Sequence, residues 1–143
     1  MAKLIFSLQE AIEILKANGS IPEQITDIKT KDDSISFKAN IKFPVIKSVP
    51  IPISLKYAGF ENGSAIFKMT LALHEKIQKI IPMNKIVNKL TEIFSEKIPE
   101  EITVDFPNVL VDFNTIISSK VNGIKVEKLI YEDGEFVITT CSI

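Results

Sequence analysis

Hydrophobic and polar residues follow a helical period near the start of the chain and a strand period afterwards. Over residues 8–18 the apolar positions recur at i, i+3, i+4 and i+7, which predicts a helix with one apolar face. Ser7 and Glu10 form a capping box before it, and Gly19 supplies its stop. Residues 25–71 then alternate between apolar and polar positions, as half-buried strands do.

The longest alternating run, 34–43, predicts a strand that is long for a small domain. The prolines that follow it cannot donate to a strand ladder, so Val45–Pro52 is expected to be an edge or a crossing. Alternation resumes at Ile53, and Asn62-Gly63 predicts a hairpin turn.

A second helical region covers 72–98, and its wide apolar arc indicates a helix surrounded by other elements. Pro82 lies inside it and should either kink the helix or start a second one. Short strands are expected at 102–106 and 109–113 and a closing hairpin at 124–131 and 135–141, whereas 114–121 is ambiguous.

Two pairs of segments resemble each other. Residues 21–26 recur as 98–103, and the turn at 60–63 recurs at 131–134. An internal repeat would explain both similarities, and so would the ordinary chemistry of helix exits and hairpin turns. No linker separates the halves, so the sequence predicts a single domain over 1–143 in either case.

Composition narrows the function classes. The chain has 17 Lys and no Arg, and its net charge of −1 argues against a nucleic-acid partner. With one His and one Cys, we expect no metal site and no cofactor. His74 lacks a second histidine at position 78, and Cys141 has no histidine partner other than His74 and no arginine to activate it, so both are expected to be structural. Asp105 and Asp112 could pair as catalytic carboxylates, but their spacing does not favour it, and no enzyme is expected.

The distribution of charge and the first residues of the chain bear on its partners and its location. Lys38, Lys42, Lys47 and Lys56 lie in a stretch without acidic residues, which indicates a solvated sheet face or a weak contact with an anionic head group or partner. The first residues do not resemble a leader, and no apolar run is long enough to span a membrane. We therefore expect a cytoplasmic protein without an integral membrane segment, and secretion by another route stays open.

The element order and the closing segment 121–138 resemble the TULIP superfamily of tubular lipid-binding domains. This resemblance implies an α+β fold in which a strongly twisted antiparallel sheet wraps around a long helix, with a short N-terminal helix at one end. It also implies an apolar groove for acyl chains, frequent dimerisation and no catalytic residues. A cystatin-like sheet on a helix and a small open barrel are alternative folds.

Two functional hypotheses follow. The first is binding of a lipid or other hydrophobic ligand between the inward strand faces and the helix, by Phe37, Ile41, Phe43, Leu55, Tyr57, Phe67, Met69, Ile86, Leu90 and Phe94. The second is a non-enzymatic interaction or assembly module that pairs a strand edge, or the segment 44–52, with a second copy or another protein. Both hypotheses allow a homo-oligomer.

Overall fold

The computed structural model describes residues 3–43, 48–97, 100–118 and 123–142, and it shows an α+β fold with two antiparallel sheets. The strands are β1 (Lys3–Phe6), β2 (Ile25–Lys31), β3 (Ser34–Ile41), β4 (Val49–Glu61), β5 (Ser64–Leu71), β6 (Ile102–Asp105), β7 (Asn108–Asp112), β8 (Ile124–Glu132) and β9 (Glu135–Ser142). The helices are α1 (Leu8–Ala17), α2 (Glu75–Ile80), α3 (Met83–Lys97) and α4 (Phe113–Ser118).

The larger sheet has six strands in the order β2-β3-β4-β5-β7-β6, and the smaller has three in the order β1-β9-β8. Every pairing in both sheets is antiparallel. The first strand of the chain therefore pairs with the last, at the edge of the smaller sheet.

Several sequence predictions are confirmed. The first helix begins after Ser7, whose hydroxyl accepts from the Glu10 amide while the Glu10 carboxylate accepts from the Ser7 amide. The alternating run forms β3, with Phe37, Ala39 and Ile41 buried. Both expected hairpins turn at the predicted dipeptides, each with two successive residues at positive φ.

The described part of the proline-rich segment has the predicted edge character, within a strand that is otherwise central in its sheet. Residues 44–47 lie outside the described residues, but β4 begins at Val49 and lies between β3 and β5. Pro50 and Pro52 pair with β3 on one side, whereas the pairing of β4 with β5 begins only at Ile53. The prolines are tolerated because this part of β4 is paired with a strand on one side only.

The helical region 72–98 contains two helices, which is one of the two outcomes expected at Pro82, and not the single long helix that the resemblance implies. Helix α2 ends at Ile80, and α3 begins at Met83. Pro82 separates them because its ring is incompatible with an uninterrupted helix. The expectation of one sheet around one long helix is therefore corrected to two sheets with short helices. Of the ambiguous region 114–121, residues 114–118 belong to α4 and 119–121 lie outside the described residues.

The core lies between the larger sheet, helix α3 and the inner face of the smaller sheet. Ile86 and Leu90 lie on the buried face of α3, and Phe136 of β9 is also almost fully buried. None of the helices in the described ranges has the length and apolar content needed to cross a membrane.

Candidate functional site

The ten residues predicted to bind a hydrophobic ligand belong to one apolar cluster. Those that are buried are Phe37, Ile41, Phe67, Met69, Ile86, Leu90 and Phe94, and those that are half-buried are Phe43, Leu55 and Tyr57. The sheet and helix positions do face each other as predicted. The structure therefore brings the predicted residues together as part of the hydrophobic core.

Close ring contacts connect several of these residues. Phe37 of β3 meets Phe94 of α3 edge to face, with ring centroids 6.0 Å apart. Tyr57 and Phe67 on neighbouring strands also pack edge to face, at 5.7 Å. At these separations the rings are in contact, so a ligand between Phe37 and Phe94 would have to part them.

Phe136 joins the two sheets. Its ring lies 5.1 Å from that of Tyr57 on the larger sheet and 5.7 Å from that of Phe6 on β1. The Tyr57 hydroxyl also donates to the Leu129 carbonyl of β8 at 3.2 Å. Burial raises the pKa of Tyr57 above its ordinary value, so this group stays a neutral donor.

Strand β1 is an exposed apolar edge that the sequence analysis did not recognise as a strand. It is hydrogen-bonded to β9 on one side and ends the strand order of its sheet. Leu4 is 51% exposed and Ile5 is 55% exposed. Adjacent residues of a strand point to opposite faces, so each face of this edge exposes one apolar side chain, with Lys3 on the same face as Ile5. The available signal was the apolar run Leu4-Ile5-Phe6 directly before the helix cap.

The β2 edge of the larger sheet is built differently. Its register shifts between Thr26 and Lys29, and Asp27 within the shift has a φ of 53°. Asp27 also forms an exposed ion pair with Lys38 on β3, at 3.5 Å. A bulge and charged side chains on an edge oppose pairing with another chain.

The β8 edge of the smaller sheet is tied to the rest of the molecule. The Val126 amide donates to the Asn114 side chain of α4 at 2.9 Å, and the Leu129 carbonyl accepts from Tyr57. The register of β8 also shifts between Val126 and Lys128. Side-chain hydrogen bonds and a bulge therefore occupy part of this edge, whereas the pairing of β1 with β9 has no register shift.

Among the residues that the structure describes, two surface clefts bear on ligand binding. One, of about 400 Å³, lies between the start of β4 and helix α2 and is mostly apolar. The other, of about 490 Å³, contains charged residues and includes only Ile41 of the ten predicted ligand-binding residues. The lining residues of the first cleft are Pro50, Ile51, Pro52, Ala72, Leu73, His74 and Ile77.

The histidine, the cysteine and the aspartate pair considered as candidates for chemistry do not form a catalytic or metal-binding arrangement among the described residues. His74 is the N-cap of α2, where its Nδ1 accepts from the Lys76 amide at 3.3 Å. Cys141 is half-buried in β9. Asp105 and Asp112 lie at opposite ends of the β6–β7 ladder, so the structure does not pair them. Among the described residues, no group of three or more His, Cys, Asp or Glu side chains could hold a metal ion.

Comparison of the chain with protein-family models, with curated proteins and with solved structures gives no match. The resemblance to the TULIP superfamily therefore stays a prediction. The most distinctive surface feature of the described residues is the apolar edge formed by β1.

Proposed function

We propose that this protein is a non-catalytic assembly module that pairs with a second copy of itself through β1. The observation that carries this proposal is the exposure of Leu4 and Ile5, at 51% and 55%, on an edge strand without a bulge. Unpaired backbone groups on such an edge are a template for another strand.

Self-pairing is compatible with the sequence of β1. In an antiparallel pair related by a two-fold axis and centred on Ile5, Ile5 of one copy faces Ile5 of the other, and Leu4 faces Phe6. Lys3 then lies opposite Ser7, so the lysines of the two copies are kept apart. The same patch serves both partners, as a two-fold dimer requires.

The result would be one continuous six-stranded sheet across the dimer. Because β1 has only four residues, the contact is short. Interfaces below about 1,200 Å² are typical of weak, transient complexes, so we expect reversible association that depends on protein concentration.

Sedimentation velocity over a concentration series tests this proposal. The wild-type protein should shift from monomer towards dimer as concentration rises, and Ile5→Lys should remain a monomer because it places a charge on the pairing edge. Ile14→Lys is the matched control, since Ile14 is 61% exposed on α1 and lies outside the edge. A wild-type protein that stays monomeric, or a dimer that Ile5→Lys leaves intact, would contradict the proposal.

A second candidate function is binding of a hydrophobic ligand, and the apolar cleft beside α2 favours it. The cleft reaches Ile51, which is 1% exposed and belongs to the core. Its volume of about 400 Å³ falls within the range of small-molecule sites. The ligand would occupy this cleft, or the core residues predicted from the sequence would have to separate around it.

Native mass spectrometry followed by organic extraction tests the second candidate. An adduct of a few hundred daltons (~300–600) would support it. Ala72 lines the cleft and is exposed, so Ala72→Phe should reduce the adduct if the ligand lies there. An adduct that Ala72→Phe leaves unchanged would favour the core, and a protein free of adduct would count against both positions.

A further inference from the structure

The corner between α2 and α3 exposes apolar side chains away from the β1 edge. Ile80 is 61% exposed, Met83 is 46% exposed, and Pro82 between them is also exposed. Ile81 at the same corner is 6% exposed and packs into the core. The chain therefore buries one apolar side chain here and directs two others into solvent.

Lysines surround this corner. Residues 76–91 contain four Lys and neither Asp nor Glu, in a chain whose net charge is −1. Lys76 and Lys79 are exposed on α2, and Lys85 and Lys89 are exposed on α3. Lys89 also lies 3.9 Å from Glu92, so the three lysines nearest the corner carry most of its positive potential.

Helix α3, which follows the corner, is anchored in the hydrophobic core. Ile86 is fully buried and Leu90 is 1% exposed, and Phe94 meets Phe37 of the larger sheet. Docking through Ile80 and Met83 would therefore need no rearrangement of the core. The corner therefore exposes two apolar side chains close together in the chain, with exposed lysines on both adjoining helices.

We propose that the α2–α3 corner docks on the surface of an anionic lipid bilayer. Ile80 and Met83 would enter the boundary between head groups and acyl chains, while Lys76, Lys79 and Lys85 would meet the anionic head groups. A bilayer fits the geometry because a fluid surface accepts exposed apolar side chains without a preformed pocket. The charge supplies the preference for anionic lipid.

Co-sedimentation of the full chain with vesicles tests the proposal. Binding should occur on vesicles of phosphatidylcholine mixed with phosphatidylserine, and it should be much weaker on pure phosphatidylcholine and at high salt. Ile80→Ser and Met83→Ser should each reduce binding. Lys79→Gln should weaken partitioning about fivefold, the typical contribution of one lysine at an anionic surface.

Two variants serve as controls. Ile14→Ser removes an equally exposed isoleucine, but Ile14 lies beside Glu10 and Glu13 on α1, so binding should be unchanged. Ile5→Ser, which removes an apolar side chain from the β1 edge without adding charge, should also leave vesicle binding intact, which separates this proposal from assembly through β1. Failure to bind mixed vesicles, equal binding to pure phosphatidylcholine, or a Lys79→Gln variant that binds like the wild type would overturn it.

A fluorescent reporter locates the contact. The chain has no Trp, so Met83→Trp introduces a single one at the corner. Its emission should shift to the blue with anionic vesicles only, whereas the emission of Ile14→Trp should stay constant. A shift at Ile14→Trp without one at Met83→Trp would place the contact on α1 and contradict the proposal.

Discussion

The two edges of the three-stranded sheet differ in their contacts with the rest of the molecule. At β8, Asn114 and Tyr57 bind backbone groups of the strand, and a register shift interrupts the edge. At β1, Leu4 and Ile5 are more than half exposed, and the pairing with β9 has no shift. One edge is tied to the molecule and the other is open.

This difference is the basis for proposing that β1, and not β8, pairs with another chain. Edges that must stay unpaired commonly carry bulges and charges, as β2 and β8 do. The six-stranded sheet ends at its other side in β6, a strand of only four residues that finishes at Asp105. Strand β1 is equally short, but its two central residues are apolar, so it is the edge best suited to accept a partner strand.

We expect the largest loss of stability from replacing Phe136, because its ring packs against Phe6 of β1. Phe136 is 1% exposed and contacts rings on both sheets. We expect Phe136→Ala to lower the free energy of unfolding by about 3–5 kcal/mol, measured by urea denaturation. It should also weaken dimerisation, since Phe6 of β1 stacks on the same ring.

Phe60 offers the matched control for this measurement. It is half-buried beside the β4–β5 turn and packs on the outside of the core. Phe60→Ala should cost less than half as much as Phe136→Ala. Equal losses for the two variants would mean that Phe136 has no special role in joining the sheets.

A smaller effect should follow from disturbing the tie between β8 and the larger sheet. Gly63 has a φ of 82°, and a Cβ there would lie 2.8 Å from the Asn114 Cβ. Asn114 holds β8 through the Val126 amide. We expect Gly63→Ala to lower the free energy of unfolding by about 1–3 kcal/mol, because both the backbone and this contact are strained.

Gly134 separates the two causes. It occupies the equivalent position of the β8–β9 turn with a φ of 81°, but a Cβ there meets no atom within 4 Å. Gly134→Ala should therefore show the cost of the backbone strain alone. If chemical denaturation shows equal losses for Gly63→Ala and Gly134→Ala, the contact with Asn114 is not important for stability.

Local structure could be predicted from the sequence wherever it depends on residues that are close together in the chain. The capping box at Ser7, the alternation around Phe37 and the two glycine turns appear as expected, because each depends on neighbouring residues. Strand β1 escaped prediction because four residues show too little alternation, and its pairing with β9 joins opposite ends of the chain.

The candidate site was harder to predict for a related reason. Apolar periodicity identifies which side chains turn inward, and all ten predicted ligand-binding residues belong to the core or pack against it. Periodicity does not show whether the opposing rings leave a groove or touch, as Phe37 and Phe94 do. The exposure of Leu4, Ile5, Ile80 and Met83 likewise depends on tertiary packing that no local pattern encodes.

The smallest effect should come from the Tyr57 hydroxyl, the second tie on β8. Tyr57→Phe removes its hydrogen bond to the Leu129 carbonyl and should lower the free energy of unfolding at neutral pH by about 0.5–1.5 kcal/mol. Burial raises the pKa of Tyr57 in the folded state, so the unfolded chain loses this proton first as pH rises. The contribution of Tyr57 is therefore complete below pH of about 10 and declines above it.

Urea denaturation of both proteins at neutral pH and at a pH above 10 tests this expectation, because lysines titrate in both and cancel in the difference. The gap between wild type and Tyr57→Phe should narrow at the higher pH. Tyr131→Phe provides a comparison. The pKa of Tyr131 is also raised, first by desolvation and then by Asp32 and Asp33. Its ring packs on Phe136. A gap that widens with pH would mean that the folded state favours ionised Tyr57, in which case the hydroxyl could not be the donor that ties β8 to the larger sheet.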